Sequence, residues 1–202
     1  DKAENLTSGT LYAAKFNQTS SEDGGAGDLK WIKLGHAHDN EIQKIIDNGT
    51  KFSDIFETAS SPTEGFKAIK TQANKNIEYL KVKPGMEKAA AFLESRRYGA
   101  LLGATSEFNK MEGIAVNENN NKAYMAMSYQ NGSMQKESIS IQDDIQLPAL
   151  NSGATWQIDL NENIEDNDGK TINSTFVPSN MKAIIIGEDL KTPDAYGNTA
   201  AQ

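Results

Sequence analysis

The hydrophobic period changes near Gly103, and this change limits the folds that the chain can form. Between about residues 39 and 103 the apolar residues recur at helical spacing, whereas on both sides they alternate as in strands. The alternation predicts an antiparallel, mainly β protein with one helical insertion at 39–103. The predicted strands cover residues 10–17, 28–34, 111–117, 122–129, 154–160 and 182–187.

The helical segment divides into three predicted helices. Asp39 is a suitable N-cap for a short helix that ends at Gly49. Ser61 and Pro62 have the residue types favoured at a helix start. The helix behind them would carry an apolar stripe of Phe66, Ile69, Ala73, Ile77 and Leu80. The last helix would begin at Pro84 and end at Gly103.

A weak repeat links the predicted strands. The segment around Tyr12 is similar to the segment around Tyr124, and the segment at 31–34 is similar to that at 156–160. In each case a strand that contains a tyrosine is followed by an insert, and then by a strand that contains a tryptophan and ends in a leucine. Such an order is typical of propeller blades, although ordinary strands can also match by chance.

Charge and cysteine content exclude several classes of protein. Acidic side chains outnumber basic ones by 28 to 20, which argues against a nucleic-acid partner. The chain has no cysteine, so it can form neither disulfides nor thiolate metal sites. No apolar run approaches the ~20 residues of a membrane helix, and no membrane partner is expected. We expect an exported protein, and a mature or excised piece of a larger one.

Acidic residues at two strand ends are candidate metal ligands. Glu112 stands at the head of one predicted strand, and Glu188 and Asp189 directly follow the apolar run 184–186. Carboxylates in rigid positions suit calcium, iron or manganese. The alternative is that both places are ordinary solvated strand ends.

Other polar motifs favour structural roles. The segment 166–169 has a calcium-like composition but lacks the first acid of an EF-hand loop, so we expect a hairpin tip. His36 and His38 have a spacing that metal sites use, but their place before a helix favours surface or capping roles. The sequence contains no P-loop, no nucleophile elbow and no zinc-protease motif.

Arg96 and Arg97 are the only arginines, and they stand side by side near a predicted helix end. Arginine suits bidentate phosphate recognition, but helix ends also favour cations in general. Neighbours on a helix point about 100° apart, so the two side chains cannot serve one phosphate equally. We therefore expect one of them to pair with an acid.

The stretch 93–134, LESRRYGALLGATSEFNKMEGIAVNENNNKAYMAMSYQNGSM, resembles the PhoX-type bacterial alkaline phosphatases. Those proteins have an arginine-containing helix, then a strand with the pattern (K/R)xEG, then a strand similar to xxYxAxS. The segment PSNMKAIIIGED at 178–189 resembles a further family segment that ends in Glu-Asp. The opening GTLYAAKFN, followed by GDLKWIKL, resembles the family's early blade.

The resemblance implies a β-propeller with iron and calcium in its central channel. It implies hydrolysis of phosphate monoesters and export to the periplasm or beyond. Glu112 and Glu188 match family metal ligands, Asp189 lies beside the second, and Arg96 or Arg97 would contact phosphate. The family's upstream cysteine ligand is absent, so we expect a fragment of two to three blades that needs the rest of the propeller for activity. The alternatives are a non-catalytic exported binding module and a remnant without activity.

Overall fold

The computed structural model describes residues 7–71, 76–136 and 141–201. The chain forms two compact units, the first from residues up to 14 and 31–106, the second from 15–30 and 107 onward. In chain order the elements are β1 (Ser8–Ser20), β2 (Ala26–His38), α1 (Asp39–Asp47), α2 (Phe52–Ile55), β3 (Phe56–Ala59), β4 (Lys67–Ile69), β5 (Glu78–Val82), α3 (Glu87–Leu93), α4 (Ser95–Leu102), β6 (Met111–Asn117), β7 (Lys122–Met127), β8 (Ala154–Asn161), β9 (Val177–Ile186), β10 (Glu188–Asp189) and β11 (Ala200–Ala201).

Six strands form the main sheet, in the order β1-β2-β9-β8-β7-β6. The pairings from β2 through β9, β8 and β7 to β6 are antiparallel. All six predicted strands are therefore confirmed, and β1 and β2 extend beyond their predicted ends. The prediction of a mainly β, antiparallel protein is confirmed with them.

The core of the second unit lies on one face of this sheet. Alternate residues of β8 are buried, as the two-residue period of a strand requires. Trp156 has no exposed surface, and its indole Nε1 donates a hydrogen bond of 2.6 Å to Oε1 of buried Gln130. The Gln130 amide in turn donates to the carbonyl oxygen of Gly24. The polar groups of Trp156 and Gln130 are thus hydrogen-bonded within this core.

The helix predicted behind Ser61 and Pro62, in the middle of the insertion, is wrong. A three-stranded sheet, β3-β5-β4, occupies the place of the helix expected after Ser61. Gly65 has a positive φ of 81°, and the amide of Phe66 donates to the carbonyl of Thr63, so the chain turns there. Ile69 and Leu80 are still buried, but from strands. Ala73 lies outside the described residues.

Two shorter helices replace the last predicted helix. α3 and α4 are separated at Glu94, which has a non-helical backbone with φ −130° and ψ 40°. The predicted end is confirmed, because Gly103 adopts a left-handed conformation with φ 97°. α1 also begins at Asp39 and is followed by Gly49 with a positive φ of 68°, close to the prediction.

The tyrosine and tryptophan strands of the proposed repeat belong to one sheet. β1, β2, β7 and β8 are all members of the six-stranded sheet. Within the described residues the strands form neither a closed barrel nor a propeller. The repeated segments therefore do not form separate blades here. In the same part of the chain, no helix is both long and apolar enough to cross a bilayer.

Candidate functional site

A small pocket of about 180 Å³ lies at one end of the sheet in the second unit. One row of paired residues crosses the sheet at this end: Met111, Met127, Ala154 and Ile186, on β6, β7, β8 and β9. The apolar wall includes Met127 and Ala154, and the polar groups include Glu112, Ser128 and Thr155. The pocket therefore forms where four strands end or begin together.

A bulge positions Glu112 at this pocket. The pairing of β6 with β7 shifts between Met111 and Gly113, so Glu112 is the extra residue on the edge strand. Bulges of this kind redirect a side chain and often occur beside functional sites. The hydroxyl of Ser128 donates to Oε1 of Glu112 at 3.4 Å. The carboxylate is exposed and lines the pocket.

The second predicted pair of acids, Glu188 and Asp189, directly follows a residue that lines the same pocket. Gly187 lines the pocket, and its amide donates to the carbonyl of Gly153. Glu188 comes next and pairs with Ala201 in the small β10–β11 sheet, with its side chain exposed. Glu112 thus lines the pocket, and Glu188 directly follows Gly187, which also lines it.

Glu112 lies in the six-stranded sheet, whereas Glu188 lies in β10 of the two-stranded sheet. β6 and β9 are members of the same sheet, with β7 and β8 between them. Three inter-strand steps place the two backbones about 14 Å apart. β7 and β8 therefore separate the strand that carries Glu112 from the strand that precedes Glu188.

The carboxylate of Asp189 is hydrogen-bonded to the loop before β8. Its Oδ2 accepts hydrogen bonds from the backbone and side-chain amides of Asn151, at 2.9 and 3.0 Å, and its Oδ1 accepts from the amide of Ser152 at 2.7 Å. The bond from the Asn151 backbone is the main cause that holds the pKa of Asp189 below its usual value. The carboxylate joins the β10 segment to the loop before β8.

Replacing Asp189 with alanine should release this connection. We expect the backbone amides of Asn151 and Ser152 to exchange hydrogen at least ~10-fold faster, because their acceptor is lost. Asp194→Ala is the matched control, since Asp194 is also an exposed acid of the tail but bonds within its own turn, to Asn198 and Tyr196. Exchange measured by NMR that leaves residues 151–152 protected in Asp189→Ala would contradict this role.

The two glutamates suit calcium as partial ligands. Carboxylate and hydroxyl oxygens are the ligands that calcium prefers, but calcium takes six to eight of them. Throughout residues 7–71, 76–136 and 141–201, no three acidic or histidine side chains gather closely enough to hold a metal ion. The acidic and histidine side chains of the described residues therefore do not form a complete metal site by themselves.

The two arginines lie in the first unit, on α4. Arg97 donates to Glu78 at 3.0 Å and to Glu94 at 2.8 Å, and its guanidinium lies 5.1 Å from the ring centroid of Phe52. Burial opposes its charge, but the bonds to both glutamates outweigh burial and raise its pKa. Arg96 is exposed. The expectation that one arginine pairs with an acid is confirmed.

The remaining polar motifs have structural positions. Rings of His36 and His38 lie 5.7 Å apart, and His36 hydrogen-bonds to the hydroxyls of Ser8 and Thr10 at 3.2 and 2.9 Å. Asp166 accepts from the amides of Asp168 and Lys170, as expected of a turn. These contacts agree with the structural roles predicted from the sequence.

Sequence reasoning missed a buried carboxyl, Glu107. Its side chain is 6% exposed and accepts hydrogen bonds from the amides of Asp144 and Ile145, at 2.9 and 3.2 Å. Burial, and then the nearby charge of Asp144, raise its pKa to about 8. The carboxylate of Asp144 also forms an ion pair with Lys15. Glu107 thus holds a loop whose apolar residues fill the core of the second unit.

The chain has no match among known protein families, curated proteins or solved structures.

Proposed function

We propose that the chain is part of an exported, metal-dependent phosphatase of the PhoX type that hydrolyses phosphate monoesters. One observation supports this most: Glu112 and the segment that leads into Glu188 line one pocket at one end of a sheet. These are the two acids that the resemblance assigns to the metal site. A phosphatase of this kind would act in the periplasm or outside the cell.

Metal ions have to supply the positive charge in this proposal. Phosphoryl transfer needs cations around the transferred group, and this chain has two arginines and a formal charge of −8. Glu112 and Glu188 would hold calcium, and iron would bind with further ligands from the remainder of a propeller. When bound, these metals would polarise the phosphate ester and activate an oxygen nucleophile.

The arginines support the proposal unequally. Arg97 is held by Glu78 and Glu94, so its guanidinium stabilises the first unit. Arg96 is exposed, which makes it the better candidate for a contact with phosphate. Asp189 is a weaker candidate for a metal ligand than Glu188, because three N–H donors already bind its carboxylate.

Calcium binding to this chain tests the proposal directly. We expect weak binding, with a dissociation constant on the order of 1 mM, because the ligand set is partial. Glu112→Gln should weaken it at least ~10-fold, since a carboxylate is a stronger calcium ligand than an amide. Isothermal titration calorimetry measures both constants.

The matched control is Glu118→Gln, which removes an exposed acid just beyond the other end of β6. It should leave the affinity for calcium unchanged. Equal calcium affinities for the unmodified chain, Glu112→Gln and Glu118→Gln would contradict a metal site at Glu112.

That outcome would favour the second candidate, a non-catalytic exported binding module. The supporting observation is β6, whose seven residues are all exposed and include Ile114 and Val116, 68% and 56% exposed. Exposed apolar side chains on an edge strand suit the addition of a partner's strand.

A further inference from the structure

A larger pocket, of about 420 Å³, lies wholly within the first unit. It is bounded by the start of β1, the end of β2 and the helix α1. Leu11 and Phe92 line it, and both also pack against a buried cluster that contains Ile32 and Leu34. The pocket therefore opens directly onto the apolar interior of this unit.

The helix α1 supplies a second apolar wall. Its isoleucines at 42, 45 and 46 lie on one face, at the spacing of an amphipathic helix, yet no residue of α1 is buried. Ile45 packs against the cluster that contains Ile55, whereas Ile42 and Ile46 line the pocket. Ile46 is 52% exposed. The described part of the chain thus leaves the apolar face of α1 uncovered at this pocket.

The charged side chain that lines the pocket favours a ligand with a positive charge. Among the described residues that line it, Asp39 is the one carboxylate and His38 the one other titratable side chain, and none is a lysine or an arginine. Gln43 and Thr10 add an amide and a hydroxyl. The chain as a whole is acidic, with a formal charge of −8. An anionic ligand would be repelled by Asp39, whereas a cationic one would be attracted.

The size and lining also agree with a small-molecule site. Such sites usually have volumes of about 300–1,000 Å³, mostly apolar walls and a few polar groups that orient the ligand. In this pocket the apolar walls come from Leu11, Ile42, Ile46 and Phe92, and the charge comes from Asp39. The ligand that matches both has an apolar body and one cationic group.

We propose that this pocket binds organic cations, with the ammonium group at Asp39 and the hydrocarbon portion against Ile42, Ile46 and Phe92. The site lies in the first unit and uses none of the residues assigned to metal or phosphate. It is therefore independent of the proposed phosphatase function.

The experiment compares three ligands of equal chain length: hexylammonium, hexanol and hexanoate. Each is titrated into the isotopically labelled chain at constant ionic strength, and amide shifts are followed by NMR. We expect hexylammonium to cause saturable shifts at residues 9–11 and 42–46. Hexanol should bind ~3–10-fold more weakly because it lacks the charge, and hexanoate at least ~10-fold more weakly because it has the opposite charge.

Two substitutions and one control locate the binding. Ile46→Lys places a cation in the pocket and should weaken hexylammonium binding at least ~10-fold. Leu102→Lys makes the same type of change at a 39% exposed helical residue of the same unit outside the pocket, and should leave binding unchanged. Asp39→Asn should make hexylammonium and hexanol bind equally.

Three outcomes would overturn the proposal. One is the absence of saturable shifts with hexylammonium. Another is binding of hexanoate as tight as that of hexylammonium, which would exclude charge recognition by Asp39. The third is equal weakening by Ile46→Lys and Leu102→Lys, which would place the binding elsewhere. Circular dichroism of each variant distinguishes a loss of binding from a loss of folding.

Discussion

Gly153→Ala is expected to destabilise the second unit by ~4 kcal/mol or more, which is an exceptionally large effect for the addition of one methyl group. Gly153 has a φ of 72°, and its added Cβ would collide with the carbonyl oxygen of Met127 and lie 2.7 Å from the carbonyl carbon of Ser128. These are backbone atoms at the end of β7, so no side-chain rotation relieves the contact.

Gly169→Ala separates this collision from the strain of the backbone angle. Gly169 has a nearly identical φ of 73° but open space around its Cβ position. This control should lose only ~1–2 kcal/mol, the cost of a left-handed conformation for a non-glycine residue. Urea unfolding, followed by the fluorescence of Trp156 in a Trp31→Phe background, gives both values. Equal losses in the two variants would contradict the predicted collision.

The stability of the second unit should fall as the pH rises from about 5 to about 8. The pKa of Glu107 is raised from 4.5 to about 8 in the folded protein. In this interval the folded protein keeps a proton that the unfolded chain releases, so the free energy of unfolding falls with rising pH. Each unit of pKa difference corresponds to 1.36 kcal/mol, and we expect a total loss of ~2–5 kcal/mol.

Glu107→Gln should remove this pH dependence, because the amide does not titrate. Glu162→Gln is the control, since it removes an exposed acid of the same unit and should leave the slope unchanged. Trp156 lies in the second unit, so its fluorescence in the Trp31→Phe background reports the unfolding of that unit. Both histidines lie in the first unit. Urea unfolding at several pH values measures the slope. A slope in Glu107→Gln equal to that of the parent would exclude Glu107 as its source.

The main sheet could be predicted because its strands are long enough to show the alternation of apolar and polar residues. β8 is an example, with alternate residues facing the core over its whole length. β4 and β5 have only three and five residues, too few for a two-residue period to stand out. Ser61 and Pro62 imitate a helix start, and Gly65 turns the chain before a helix can form. Short strands depend on their partners more than on their own sequence.

In the candidate site, too, the residues marked by a local sequence pattern could be predicted, whereas contacts between distant residues could not. Glu112 and Glu188 could be selected because each stands at the end of a visible strand. The role of Glu107 depends on Asp144 and Ile145, 37 and 38 residues further along the chain. The binding of Asp189 to Asn151 likewise joins residues 38 apart. No local pattern contains such pairs, so only the folded chain reveals them.

The bulge at Glu112 also has a consequence for how the protein behaves at high concentration. β6 is an edge strand, and a regular edge with exposed apolar residues can recruit strands from other molecules into a cross-β stack. The shift between Met111 and Gly113 interrupts that regularity. An incoming chain finds an even ladder only along residues 113–117, which is shorter than the six or seven residues typical of amyloid-forming segments. The residue that faces the pocket thereby also protects the sheet from uncontrolled growth.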